Sequence, residues 1–506
     1  MSVNAALPLY HCDAVRQLDS AAINHHDIPG IVLMKRAGLA CFRALAEQWP
    51  EANKVLVFCG SGNNGGDGYI VAGLAKDRGL DVRVMALADP LKLKGDAARA
   101  YQFAVQANVD VQLFSENPSL EVTEDSVIVD ALLGIGLKTP LRDAYAEAIE
   151  WINRQLCPVL SVDIPSGLNG DTGAVLGLSV QADVTVTFIG RKLGLFTGQG
   201  PSVSGQVIYE DLGVPAEIYD KVHPQAKAMH LKTSAYMGPR VRSAFKNQFG
   251  HVMVVGGDLG TGGAAMLSAE ASARCGAGLV SLTTQPAHVS AALARLPELM
   301  VLGVPSGQEL EPHLDKPSVI AIGPGLGSSP WSEQLLQLVL KKVEAGMPAV
   351  IDADALNLIA RRKLALPPSG GNWVLTPHSG ETARLLSSES RTWQSSDVEA
   401  DRPAAIKAIQ QKYGGVVILK GAGSLVYDGE NLFVITDGNP GMATGGCGDV
   451  LTGVIAALLA QGLSPANAAL LGASLHAQAG DTAAQSGERG LMAGDLIAPL
   501  RSLVNV

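Results

Sequence analysis

Three apolar runs in the first half of the chain each end in an amide or an acid followed by glycines. Residues 59–68 read CGSGNNGGDG, so Asn63, Asn64 and Asp67 follow the run at 54–58. Residues 129–136 read VDALLGIG, with Asp130 ahead of Gly134 and Gly136. Residues 162–167 read VDIPSG, with Asp163 ahead of Ser166. Open α/β sheets bind ligands at the carboxyl ends of their strands, which is where such text falls. Oxygen donors on Asn64, Asp130 and Ser166 suit a hard cation. One carboxylate among them carries little charge, which favours a weakly held monovalent ion over Mg²⁺. Asp163 is a candidate acid/base, the alternative being a turn or N-cap acid before Pro165. Gly60, Gly62 and Gly65 also fit G-x-G-x-x-G, with Asp89 as the acid that would hold a ribose. That spacing alone is weak evidence.

The second half holds a stronger motif. Residues 438–453 read GNPGMATGGCGDVLTG, so Gly445, Gly446 and Gly448 open a helix near Asp449. Backbone N–H groups at a helix start attract anions, and glycines let a phosphate come close. An acid there repels phosphate unless it first takes a proton from a hydroxyl that then attacks phosphorus. The alternative is an N-cap aspartate favoured by the helix dipole. Other run ends supply partners: IGPGLG at 322–327, DADALN at 352–357, TPHSGE with His378 at 376–381, and KGAGS at 420–424. Lys420 and its glycines suit a nucleotide's phosphates.

Strands and helices must position these residues. Candidate strands cover 54–58, 81–87, 126–129, 159–162, 184–188 and 206–209. A second series covers 251–255, 279–283, 318–322, 349–351, 373–375, 416–419, 424–427 and 432–435. Helical sequence separates most of them, which predicts parallel pairing and right-handed crossovers. Residues 10–48 read as one or two amphipathic helices broken at 27–30. Residues 213–248 have weak periodicity and read as a connector with a short helix.

Composition bounds the function. A length of 506 residues allows about three domains, or two large ones. The 57 glycines, with aromatics at only 5%, suit α/β folds with many tight turns. A net charge of −10 without a Lys/Arg cluster excludes a nucleic-acid footprint. The six cysteines form no C-x-x-C pair, so reduced, buried thiols of a cytoplasmic protein are expected rather than zinc or disulfides. No signal-peptide pattern is seen at the start, and no apolar run reaches the roughly 18 residues a membrane helix needs.

The combination G-x-G-N-N-G-G-D-G, D-A-L-L-G-x-G and D-I-P-S-G resembles the epimerase domain of the NAD(P)H-hydrate repair family. The stretch LMKRAG at 33–38 resembles that family's preceding helix. P-G-L-G, D-A-D-A-L-N, T-P-H-x-G-E, K-G-A-G and N-x-G-M-A-T-G-G-x-G-D-V-L-x-G resemble its ADP-dependent dehydratase domain. The implied fold is α/β: a Rossmann-like three-layer sandwich at 1–222, a connector at 223–240 and a ribokinase-like domain at 241–506. The implied activities are R/S epimerisation of hydrated NADH and NADPH (NADHX and NADPHX), and dehydration of the S form with ADP, giving AMP and phosphate.

The resemblance also implies roles for residues. Asn63, Asn64, Gly65, Gly66, Asp67, Gly134, Ile135, Gly136, Leu137, Lys138, Thr139, Pro140 and Asp163 would bind the dinucleotide in the epimerase, with Asp163 catalytic. Asn64, Asp130 and Ser166 would hold K⁺. In the dehydratase, Ala264, Gly325, His378 and Asp449 would bind the dinucleotide, with Asp449 catalytic. Lys420, Gly421, Ala422, Gly423, Ser424 and Gly448 would bind ADP or AMP. Mg²⁺ would accompany the nucleotide, with Asp352 and Glu381 as indirect holders. The family's K-G-x-x-G before the first dehydratase strand is here KNQFG at 246–250, which leaves Lys246 without a role. Expected partners are small molecules only, within a homo-oligomer. A ribokinase-type kinase and a non-catalytic binding module are the rival readings.

Overall fold

A computed structural model describes residues 6–115, 121–137, 139, 141, 143–366 and 371–505. The chain forms two compact units, Pro8–Ala226 and a second that runs from Lys227 onward. Among the described residues no helix is long and apolar enough to cross a membrane. All six cysteines are buried and unbridged, as expected.

The sheet of the first unit is parallel throughout. Its order is Asp110–Leu113, Asp81–Ala86, Lys54–Cys59, Ser126–Ala131, Val159–Val162, Val184–Phe188, Gln206–Glu210. Strands covered on both faces read as unbroken apolar runs rather than alternating ones. Val55, Leu56, Val57, Phe58 and Cys59 accordingly are all buried. Two helices precede the sheet, Cys12–His25 and Gly30–Gln48, with the break where the sequence puts it. The strand order reverses between Lys54–Cys59 and Ser126–Ala131. A crevice opens at such a switch point, outside the carboxyl ends of the strands.

The second unit repeats the plan. Its strand order is Met300–Gly303, Leu279–Thr284, His251–Val255, Val319–Ile322, Ala349–Ile351, Trp373–Leu375, Val416–Leu419, Ser424–Tyr427, Leu432–Ile435, Ala226–Met229. Here the reversal falls between His251–Val255 and Val319–Ile322. One strand departs from the parallel expectation: Ser424–Tyr427 is antiparallel to both neighbours. The links on either side are too short for a crossover, which needs a dozen residues or more. Ala226–Met229 lies within the stretch read as connector and pairs parallel with Leu432–Ile435. Helix Cys447–Ala460 is buried almost throughout, with Val450, Val454, Ile455 and Leu458 fully enclosed. Ser272 of helix Gly262–Arg274 donates to its Gly453 carbonyl at 3.0 Å.

Gly60 shows why the first strand must end in glycine. A Cβ there would stand 1.9 Å from the Leu132 carbonyl oxygen, in the loop that follows Asp130. Gly60→Ala is expected to destabilise the first unit by about 3 kcal/mol, because backbone rather than a flexible side chain must move. The earlier transition in urea unfolding, followed by circular dichroism, should shift to lower denaturant.

Candidate active sites

In the first unit, a cavity of about 580 Å³ opens at the switch point. Asn63, Asn64, Asp67, the loop 134–137 and Asp163 all line it. Gly65 and Gly66 are buried inside helix Asn63–Asp77, behind the wall. Thr139 is exposed outside the lining, and Lys138 and Pro140 lie outside the described residues. Asp89, the ribose acid of the plain dinucleotide reading, is off the cavity. It caps a short turn by accepting from the Leu91 N–H at 3.0 Å.

Asp130 and Ser166 are fully buried behind this wall. Ser166 Oγ donates to Asp130 Oδ1 at 2.6 Å, and Ser166 N–H and Ser161 Oγ donate to Oδ2 at 2.9 and 2.8 Å. Burial nevertheless raises the Asp130 pKa, against the pull of these donors. Leu133 N–H donates to Ser166 Oγ at 2.9 Å. Next along that loop, a Cβ on Gly134 would lie 3.3 Å from Asn64 Cγ. The Asn64 Nδ2 is buried with no hydrogen-bond partner. Amide oxygen and nitrogen are assigned by their hydrogen bonds, so an orphaned donor marks a place where the oxygen can face a cation instead.

Asp163 sits in the left-handed region, with φ 67°. Its Oδ1 accepts from Lys192 Nζ, from the Phe188 N–H at 3.2 Å and from Thr187 Oγ1 at 3.4 Å. Lys192 is fully buried and lines the cavity. Asp19 and Arg16, from helix Cys12–His25, and Asp96 are the other charged residues of the wall. Burial raises the pKa of Asp67 strongly, and the Asp163 and Asp19 charges add to it. Asp19 is pushed up to about 6 by burial, with Lys192 pulling the other way and the Asp163 charge adding to the rise. Sequence reasoning missed Lys192, Asp19 and Arg16. Lys192 had a legible signal, because it follows the end of strand Val184–Phe188, the next strand end after Asp163.

The second site gathers at the same edge of its own sheet. Helix Cys447–Ala460 begins after Gly446 and brings Asp449 into its first turn. Beneath it lies Asp352, only 1% exposed, at the end of strand Ala349–Ile351. Both of its oxygens are engaged: Oδ1 by Lys420 Nζ at 2.7 Å and Oδ2 by Thr452 Oγ1 at 2.7 Å. Buried Glu381 takes the His378 N–H at 2.9 Å, and its Oε2 lies 3.9 Å from Lys420 Nζ. Burial pulls the Lys420 pKa down, but Asp352 and Glu381 outweigh it and hold it above the ordinary lysine value. The Glu381 pKa is raised by burial, with Lys420 pulling the other way and the Asp352 charge adding to the rise. Asp449 is pushed up to about 7, by burial first and then by the Asp352 charge, against Lys420. A Cβ at Gly448 would lie 3.2 Å from Lys420 Nζ, so glycine there leaves the ammonium uncrowded. With Asp352 bound to Lys420 and Thr452 and Glu381 bound to the His378 N–H, these acids brace Lys420 and do not fit as direct Mg²⁺ ligands.

The remaining predicted residues fall around this centre. A Cβ on Gly325 would lie 3.1 Å from Ala264 Cβ, so those two adjoin at the switch point. Asp354 ties in the same loop by accepting the Gly327 N–H at 2.8 Å. His378 caps helix Ser379–Leu386, its Nδ1 accepting from the Gly380 N–H at 3.0 Å. Half of its side chain stays exposed, and burial with Lys420 and Arg384 nearby lowers its pKa. The loop 420–424 closes on itself, Ser424 Oγ donating to the Gly421 carbonyl at 3.0 Å. Two supports escaped the sequence reading. The fully buried Arg402 donates to the Leu419 and Lys420 carbonyls at 3.2 and 3.3 Å. His476, with its pKa lowered to about 4 by burial, donates Nε2–H to the Cys447 carbonyl at 2.8 Å and anchors the helix start.

Residues 252–501 match the family described as NAD(P)H-hydrate dehydratase, and residues 30–194 match the YjeF-related protein N-terminus. The chain is similar to the bifunctional NAD(P)H-hydrate repair enzyme Nnr of Coxiella burnetii, with 44% identity over 98% of this chain and 99% of that one. The enzyme of the same name from Escherichia coli K12 is 39% identical, over 98% and 94%. Among solved structures it is similar to the ADP/ATP-dependent NAD(P)H-hydrate dehydratase of Bacillus subtilis co-crystallized with ATP/Mg²⁺. That likeness has a TM-score of 0.47 and 25% identity, over 54% of this chain and 94% of that one. On sequence similarity across nearly its whole length, the chain belongs to the bifunctional NAD(P)H-hydrate repair enzymes.

Proposed function

We propose that the first unit interconverts the R and S epimers of NADHX and NADPHX within its cavity, with Asp163 as acid/base at the hydrated carbon. The wall residues Asn63, Asn64 and Asp67 and the loop 134–137 hold the dinucleotide. Asn64, Asp130 and Ser166 would hold K⁺, which would supply fixed positive charge to the site. The orphaned Asn64 amide and the buried Asp130 support this donor set.

The second unit removes water from the S epimer at the expense of ADP. The observation that carries this reading is the Asp449 carboxyl, with a pKa of about 7, in the first turn of a glycine-opened helix beside Lys420. A base poised near neutrality suits proton removal from an alcohol. Asp449 takes the proton of the ring hydroxyl, and that oxygen attacks the terminal phosphorus. The bond from phosphorus to the bridging oxygen breaks and AMP leaves. The ring nitrogen's lone pair then expels phosphate, a far better leaving group than hydroxide, and loss of a ring proton restores NAD(P)H. Lys420 and the loop 421–424 hold the nucleotide, with Gly448 leaving room for it. Ala264, Gly325 and His378 hold the dinucleotide. Mg²⁺, bound with the nucleotide, would offset the charge that develops on the phosphates.

Incubation of mixed NADHX epimers with the enzyme and ADP should restore the reduced-nicotinamide absorbance completely, with AMP and phosphate each equal to NADH formed. Without ADP there should be none. Recovery that stops near half contradicts the epimerase assignment, and a stable phosphoester product favours the kinase reading.

Asp449 also links stability to pH. Its folded pKa of about 7 lies above the ordinary 3.8, so the fold favours the protonated acid. That contribution is present at low pH and is lost as pH rises through about 7. Asp449→Asn should therefore raise the second unit's melting temperature at pH 8, with the gain shrinking toward pH 5. In the wild type, dehydration should slow about tenfold per pH unit below about 7.

A further inference from the structure

We infer that Lys192 is a positioning residue of the epimerase: it locks the Asp163 carboxylate in one orientation and leaves a single oxygen free for the substrate. The inference rests on the epimerase reading of Asp163. Lys192 is fully buried, and its ammonium has three donors. Asp163 Oδ1, Thr187 Oγ1 at 3.1 Å and the Phe188 carbonyl at 3.2 Å take all three. Nothing is left on Nζ for a ligand, so Lys192 acts through Asp163 rather than on the substrate.

The pattern on Asp163 is one-sided. Lys192, Thr187 and the Phe188 N–H all converge on Oδ1. No described residue donates to Oδ2, although the residue lines the cavity. The Thr187 hydroxyl fits this scheme by accepting from Lys192 while donating to Asp163. The backbone is pinned as well. Asp163 N–H donates to the Val186 carbonyl at 2.7 Å, which helps hold a left-handed conformation that few non-glycine residues adopt. Strain that several bonds enforce marks a side chain aimed for a purpose.

The surroundings explain why a cation is needed. Asp67 from helix Asn63–Asp77 and Asp19 from helix Cys12–His25 share the cavity wall with Asp163. Asp96 lines it too, and carboxylates gathered in one partly dry pocket repel, so a buried ammonium in contact with Asp163 offsets that repulsion where it touches. Arg16, also on the wall, pairs with exposed Asp13 and donates to the Ile135 carbonyl at 2.9 Å. The cation touching Asp163 is Lys192.

The test is a double-mutant cycle on R-to-S conversion, read by coupling to excess wild-type-level dehydratase. Lys192→Met should lower kcat about 100-fold while KM changes less than about threefold, because positioning rather than binding is lost. Asp163→Asn should lose at least as much. The pair Lys192→Met/Asp163→Asn should be no slower than Asp163→Asn alone, since Lys192 has nothing left to position. Should Lys192→Met not fold, the double variant, which leaves no buried unpaired charge, still reports the coupling. A Lys192→Met enzyme that keeps more than about a third of kcat overturns the inference, as does a double variant about tenfold slower than Asp163→Asn. If Asp163→Asn itself epimerises at the wild-type rate, the catalytic reading of Asp163 fails instead.

Discussion

Each half of this protein is built around one lysine ammonium set among several carboxylates. Lys192 lies against Asp163, with Asp67 and Asp19 on the same wall. Lys420 lies between Asp352 and Glu381, with Asp449 close enough to feel both charges. Carboxylates crowded together out of water cannot all ionise, and a cation decides which ones do. In the second unit this leaves Asp449 near neutrality, while Lys420 stays charged. The acid that can exchange a proton at physiological pH is thereby separated from the acids that hold the lysine.

The folds follow from what that arrangement demands. Parallel strands bring many chain segments to one sheet edge, so acids far apart in sequence meet there. The loops must then approach backbone to backbone, which only glycine permits at Gly60 against Leu132. Helices start at the same edge, and their free N–H groups add positive potential without adding side chains. Buried supports fix the loops from behind: Arg402 under 419–420, His476 under Cys447, and Ser166 under Leu133.

What was legible in the sequence were features that local chemistry writes locally. Central strands Val416–Leu419 and Leu432–Ile435 carry unbroken apolar runs, Val159–Val162 is broken only by Ser161, and the limits of all three coincide with the reading. Asp130 and Asp163 were visible because a polar residue directly after such a run has few other uses, and Asn64 because it follows its run within a glycine-rich turn. Edge strands were not. Asp110–Leu113 is mostly uncovered, so its sequence lacks the run, whereas Met300–Gly303 is apolar and was still missed. Ala226–Met229 was hidden in weakly periodic text, since its pairing partner Leu432–Ile435 lies about 200 residues away. Lys192 and Arg402 were missed for a different reason. A lysine beside Arg191, or an arginine after Asp401, reads as solvated surface. Their burial is a product of tertiary packing, and only the place of Lys192 soon after a strand end hints at it. Asp352 was read as an indirect Mg²⁺ holder, and its motif shows the acid but not the lysine that it binds.

The two activities are chemically dependent, because a dehydratase that accepts one epimer stalls unless the other is converted. The step that bears most weight is the transfer of phosphorus to the substrate's own oxygen after Asp449 removes the proton. Oxygen-18 placed in the ring hydroxyl of NADHX follows that oxygen directly. Mass spectrometry of the products should find the label in the released inorganic phosphate, one atom per NADH restored. Label recovered in water, with none in phosphate, would contradict the account.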